Sequence, residues 1–132
     1  MTSGSRPVGD VLVTAPRRVE KPWVHELIFA HTDRYVGKLL HIEAGHSLSR
    51  QYHEVKEETL YVLSGCITLE IGAGDALESS RLGPGEAFHL PPGTIHRFKA
   101  EETTDLLEVS TPELDDVVRL EDAYGREGTS DA

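Results

Sequence analysis

Cysteine is almost absent: Cys66 stands alone, so no disulfide can close within the chain and the fold must be held by packing. A lone thiol suits a reducing cytoplasm, which is the expected location. Basic residues are scarce, 13 Lys and Arg against 23 Asp and Glu, for a formal net charge of −10. That balance excludes the broad basic surface on which non-specific nucleic-acid binding depends. An anionic small substrate would need basic side chains gathered locally against it. Long apolar runs are missing too. Nothing approaches the roughly 20 residues of a membrane span, and Met1–Asp10 has no apolar stretch of the kind a signal peptide carries. No internal repeat is present. What is there, 132 residues with 38% hydrophobic and 27% charged, suffices for one core and one globular domain.

Short segments separated by Gly and Pro corners follow one another along the chain. Residues 1–10 read as a flexible arm, 11–126 as the domain and 127–132 as a disordered tail. Val11–Val13 is expected to be a short edge strand and Pro16-Arg17-Arg18 a loop. Trp23–Ala30 and Tyr35–Glu43 are strand candidates joined by the polar turn His31–Arg34. On the second, alternation puts Lys38, Leu40 and Ile42 on one face. Further strands are expected over Cys66–Ile71, Ala76–Leu82, Glu86–Leu90, Ile95–Lys99 and Leu106–Ser110, with a hairpin loop at Gly72–Asp75. Glu113–Asp122 fits either a short helix or an extended strap. Short strands at this spacing predict an all-β sandwich or barrel.

The chemistry concentrates in Gly45–Gly65, GHSLSRQYHEVKEETLYVLSG. Gln51 and His53 are two residues apart, so on a strand they project together. The polar run Glu54–Glu57 reads as a tight connection, after which Glu58 opens the apolar strand Thr59–Leu63. If the two strands pair, Glu58 returns beside His53. An amide, an imidazole and a carboxylate then converge, and His96, after the Pro91-Pro92-Gly93 corner, is a fourth candidate. A lone histidine on a strand is ordinarily just a polar residue. Here the spacing, the carboxylate and the corner agree on a metal site. Glu57 would replace Glu58 as the ligand if the turn were one residue shorter. A neutral amide oxygen is a poorer donor to late metals than a ring nitrogen. The set nonetheless suits a divalent ion, Zn²⁺ first and Mn²⁺ or Fe²⁺ after it. His89 lies before the corner and either lines the cavity or is structural. His25, His31, His41 and His46 have no spacing that singles them out.

These two segments resemble the signature motifs of the cupin superfamily. In the first, G-x5-H-x-H-x4-E-x6-G, Gly45, His53, Glu58 and Gly65 fall in register and Gln51 stands where the first His is expected. In the second, G-x5-P-x-G-x2-H-x3-N, Gly85, Pro91, Gly93 and His96 match and Ala100 departs from the final Asn. The resemblance implies a double-stranded β-helix, or jelly-roll, barrel. The segment SLSRQYHEVKEETLYVLSG further resembles type II mannose-6-phosphate isomerases, in which Gln takes that first position. Lys21-Pro22-Trp23 is similar to that family's R/K-P-W-G opening, with Val24 for Gly. Residues 115–126 are similar to its closing signature, with Ala123 for an acidic residue. In larger members this domain follows a sugar-nucleotide transferase domain, and no nucleotidyl transfer is expected of the present stretch.

The resemblance implies interconversion of mannose 6-phosphate and fructose 6-phosphate, with a divalent metal held by Gln51, His53, Glu58 and His96. Four protein ligands leave room for substrate only if the ion expands to five or six. Lys56 holds the family's basic position at the site mouth. Lys38 points inward if Leu40 and Ile42 do, and apolar surroundings would make it a base candidate or a phosphate anchor. A lysine snorkelling at the rim is the plainer alternative. Arg119 and Arg126 reach the phosphate if the tail folds over the opening, and are otherwise solvated surface residues. The resemblance also implies a homodimer, and outward Tyr61 and Leu63 offer an apolar patch for it. Two other functions stay open: a metal-dependent dioxygenase of a small organic substrate, and a non-catalytic metal-containing module for a sugar or small ligand.

Overall fold

The computed structural model describes residues 5–121 and, as backbone, 128–129. Its strands are β1 (Arg6–Val8), β2 (Val11–Val13), β3 (Arg17–Lys21), β4 (Val24–His31), β5 (Val36–Ile42), β6 (Arg50–Tyr52), β7 (Glu58–Ser64), β8 (Ile67–Ile71), β9 (Glu78–Leu82), β10 (Ala87–Leu90), β11 (His96–Ala100), β12 (Thr104–Ser110), β13 (Val118–Glu121) and β14 (Gly128–Thr129). There is no α-helix among the described residues. Two six-stranded sheets run in the orders β10-β7-β12-β5-β4-β3 and β14-β13-β6-β11-β8-β9. From β5 to β8, and again from β9 to β13, each connection passes to the other sheet. Only the β8–β9 hairpin stays within one sheet over that stretch. This winding is the double-stranded β-helix of the jelly-roll barrel.

Alternation along the strands supplies the core. Val24, Leu40, Ile42, Leu60, Val62 and Leu106 from the first sheet meet Ile67, Leu69, Phe98 and Ala100 from the second. The opposite faces carry the partly solvated residues, as expected for antiparallel sheets packed on one side. Gly65 makes the corner between β7 and β8 at φ +91°, and a Cβ there would lie 2.4 Å from the Thr103 carbonyl oxygen. Only glycine fits both the left-handed backbone and the contact.

Several expectations change. The Gln51–His53 segment and the Thr59–Leu63 strand do not pair, because β6 and β7 belong to opposite sheets. Arg17-Arg18 is not a loop but the start of β3, an edge strand paired with β4. Arg17, Arg18 and Glu20 are exposed on it, which suits an edge that must not recruit further strands. Val11–Val13 is a strand, but it pairs with β1 alone, so residues 6–8 of the expected arm form one side of a hairpin. Trp23 belongs to the turn before β4, at φ 61°, and stacks on His46 at 4.5 Å. Residues 113–121 take the extended alternative, a strap ending in β13. In the expected tail, Gly128–Thr129 pairs with β13. Arg126 and Ala123 lie outside the described residues.

Candidate metal centre

The sheet crossing is what assembles the site. His53 follows β6 in one sheet, Glu58 opens β7 in the other, and His96 opens β11 beside β6. Their donor atoms all lie within 4.8 Å of one another, and all three side chains are buried. His53 Nε2 is 2.8 Å from Glu58 Oε2, and His96 Nε2 is 3.7 Å from the same oxygen. Donors at about 2.0–2.2 Å from one ion stand roughly 3 Å apart, so this spacing fits a cation.

Protonation makes the same point. His53 Nδ1–H donates to the Asp116 carbonyl at 2.6 Å, and His96 Nδ1–H donates to the Thr94 carbonyl at 2.9 Å. A neutral ring so held turns the Nε2 lone pair toward the centre. The His53 lone pair then faces a carboxylate oxygen, and a proton or a cation must stand between them. His96 Nε2 is buried with no hydrogen-bond partner among the described residues. Burial, offset in part by Glu58, holds His96 below the usual imidazole value, which keeps it neutral and able to ligate. Burial alone would raise the Glu58 carboxyl. The hydrogen bond from His53 and the charges of Lys56 and the histidines outweigh it and bring the group well below the ordinary carboxylate range. A carboxylate beside two imidazoles is a donor set suited to a divalent ion.

Gln51 is the cross-strand neighbour of His96 and of Arg119, and it lines the same cavity. Its Oε1 accepts a hydrogen bond from Ser49 Oγ at 2.7 Å. Glu57 and His89, by contrast, pair with each other on the outside, 3.0 Å apart and each about half exposed. Glu57 is therefore not placed as the ligand, and His89 does not line the cavity.

Behind the centre the cavity wall is a ladder of alternating charge. Glu26 takes Lys21 at 2.9 Å and Lys38 at 3.2 Å. Lys38 lies 3.7 Å from Glu108, which lies 3.1 Å from Lys56, itself 3.4 Å from Glu58. Lys38 does point inward with Leu40 and Ile42, but carboxylates surround its Nζ in place of the apolar groups expected. Lys56 is not at a mouth, being only 3% exposed. Burial opposes its charge, yet Glu108 and Glu58 outweigh burial and raise its pKa, so it is a fixed cation and a poor base. Burial raises Glu26 too, and the attraction of Lys38 and Lys21 more than reverses this. Glu26 and Glu108 went unremarked in the sequence, although each occupies an inward position of an alternating strand.

Residues 38–110 match the cupin domain family. The chain is a cupin. Among curated proteins it is 34% identical over 115 residues to the mannose-1-phosphate guanylyltransferase ManC of Salmonella typhimurium, covering 83% of this chain and 23% of that one. It is 31% identical over 131 residues to the xanthan biosynthesis protein XanB of Xanthomonas campestris, covering 96% of this chain and 27% of that one. The cupin thus spans about a quarter of the length of these relatives. Among solved structures, KdgF from Halomonas superposes with a TM-score of 0.65 at 26% identity, over 73% of this chain and 87% of that one. A Streptomyces nucleoside dehydratase, at a TM-score of 0.69 and 15% identity over 82% and 87% of the two chains, shares the fold.

A strap closes this cupin's cavity. Leu114, Val117 and Arg119 form part of the wall, and Arg119 is buried. Asp116 ties the strap to the loop after His53: its carboxylate accepts the backbone N–H groups of Glu54, Val55 and Lys56 at 2.7–3.0 Å, while its carbonyl holds His53. Burial is the largest single influence and opposes the charge, but those three donors together outweigh it and pull the Asp116 carboxyl below its usual value. A carboxyl with a depressed folded pKa stabilises the native state above its unfolded pKa of about 3.9, and the effect is lost as pH falls through the folded value. Asp116→Asn is accordingly expected to lose about 2 kcal/mol at pH 7. The loss should shrink toward pH 2, as urea melts at several pH values would show. An equal loss at every pH would rule out this role for the charge.

Proposed function

We propose that this cupin is a metal-dependent aldose–ketose isomerase of a sugar phosphate, of the mannose 6-phosphate type. The observation that carries the proposal is the company the metal donors keep. Lys21, Lys38, Lys56 and Arg119 line the same cavity as His53 and Glu58, against three carboxylates, in a chain whose net charge is −10. Such a local excess of cations suits an anionic substrate. The similarity to ManC and XanB supports a sugar-related substrate. His53, Glu58 and His96, with Gln51 as fourth donor, would hold the ion, zinc first and manganese or iron after it. A bound divalent ion supplies electrophilic stabilisation of the oxygen that becomes negative during enolisation. Lys56 stays charged and faces the same region, Arg119 and Lys21 hold the phosphate, and the strap excludes water. Two copies pair through the outer sheet face bearing Tyr61 and Leu63, which are 40% and 43% exposed.

A coupled assay with mannose 6-phosphate, on protein reconstituted in turn with Zn²⁺, Mn²⁺, Co²⁺ and Fe²⁺, tests the activity, and sedimentation equilibrium tests the pairing. No turnover with any of the four ions would sink the isomerase. One observation favours a second reading, a metal-containing sugar-binding module. With the strap in place the cavity offers about 40 Å³, room for a few waters. A hexose phosphate fits only once the strap is displaced. Binding of mannose 6-phosphate without turnover at full metal occupancy would select the module.

A further inference from the structure

We propose that Glu108 carries the proton between the two sugar carbons. The proposal rests on the isomerase reading of the same cavity and names a group that neither motif contains. Glu108 lies on β12, opposite Lys38 of β5 and Leu60 of β7 in register, so the sheet fixes where its side chain emerges. It is 3% exposed and lines the cavity. Its Oε2 is ion-paired with Lys56 Nζ at 3.1 Å and with Lys38 Nζ at 3.7 Å, and neither contact has the geometry of a well-aligned hydrogen bond.

The other acid–base groups of the cavity are already committed. Glu58 faces the two histidines and belongs to the donor set. Both oxygens of Glu26 are engaged, one by Lys21 and the other by Lys38. Lys56 is held charged between two carboxylates. Glu108 is the remaining carboxyl of the wall: its Oε2 is paired by charge with two lysines but is not locked into a well-aligned hydrogen bond. Burial raises its pKa, with Glu58 adding to the rise and Lys38 and Lys56 opposing it. A carboxylate stripped of water in this way is a stronger base than one in solvent.

The step balances within the substrate and this one group. Glu108 takes the hydrogen on C2 as a proton, and the C2–H electron pair becomes the C1–C2 double bond. The C1 carbonyl pair moves to O1, where the positive charge of Lys56 would stabilise the developing negative charge. Glu108 then delivers its proton to C1, the O2 hydroxyl proton passes to O1, and C2 becomes the ketone. No proton is gained or lost, and no oxidant or reductant is required.

The test compares wild type with Glu108→Gln and Glu108→Asp, each loaded with the same ion. Three things are measured: kcat for mannose 6-phosphate, deuterium uptake at C2 of the sugar from heavy water, and bound metal. Glu108→Gln is expected to lose at least 100-fold in kcat and in C2 exchange, with metal content unchanged and affinity for mannitol 6-phosphate within threefold. Glu108→Asp, which withdraws the carboxylate by one methylene, is expected to lose roughly 10-fold in both rates; it also decides the matter if the Gln variant does not fold. An active wild type with Glu108→Gln, or failing that Glu108→Asp, within threefold in kcat overturns the assignment and leaves the isomerase standing. A wild type silent in both turnover and C2 exchange overturns the isomerase and the assignment with it.

Discussion

His96→Ala is expected to strip the protein of tightly held metal. Its Nε2 is one of three donor atoms within 4.8 Å of each other, and among the described residues the ring donates its hydrogen bond from Nδ1, to the Thr94 carbonyl. Removing the ring deletes a ligand outright, so the loss should exceed the 10–100-fold typical of disturbing an outer partner. Metal content after dialysis against a weak chelator is the direct reading, with apparent Kd from competition titration. His89→Ala is the matched control, because that imidazole lies outside beside Glu57 and should change neither quantity. Full metal retention by His96→Ala would remove the ligand assignment. Chelating the wild-type protein should also lower its Tm, since a cation bound only by the native state stabilises by about 2.7 kcal/mol at a hundredfold excess over Kd.

Lys38→Met is expected to be the most destabilising single change in the cavity wall. Lys38 is 4% exposed and stands between Glu26 and Glu108. Methionine keeps most of the length and loses the charge. Two buried carboxylates then lack a counter-ion they share, and breaking a buried pair in this way costs about 3–5 kcal/mol. Lys21 and Lys56 still serve Glu26 and Glu108, which places the expected loss near the lower end of that range. The pH dependence has a definite sign. Glu108 already has its pKa raised by burial, and losing Lys38 raises it further. A carboxyl whose folded pKa exceeds its unfolded value of about 4.3 binds more protons in the native state, so its contribution weakens as pH rises through the folded value. The deficit of Lys38→Met should therefore be smaller at pH 5 than at pH 8 in urea titrations. A deficit below about 1 kcal/mol at pH 8 would show that the ladder is not electrostatically coupled.

Much of the centre was legible from spacing. His53, Glu58 and His96 sit where two short patterns put them, because ligands at strand ends are tied to the corners that Gly65 and Pro91-Pro92-Gly93 mark. The route by which they meet was not legible. Local residues say that β6 and β7 are strands, but whether consecutive strands pair or pass to opposite sheets depends on contacts far away in sequence. The inward carboxylates of Glu26 and Glu108 did leave a signal. Val24-x-Glu26-x-Ile28 and Leu106-x-Glu108-x-Ser110 each place a charge on the face that alternation assigns to the core. Such a charge is costly unless partnered. The inward Lys38 therefore called for carboxylates elsewhere in the chain, and apolar surroundings were the wrong inference for it.

The strap bears on the order in which the molecule is built. The partner of His53 Nδ1 is a carbonyl 63 residues downstream, and His96 comes 43 residues after His53. While the polypeptide emerges from the ribosome, the central strands can pair before residue 116 exists, but His53 has nothing to fix its ring. An ion held at this centre would therefore load late, and the pool of newly made chains that carry it would report how many have finished folding.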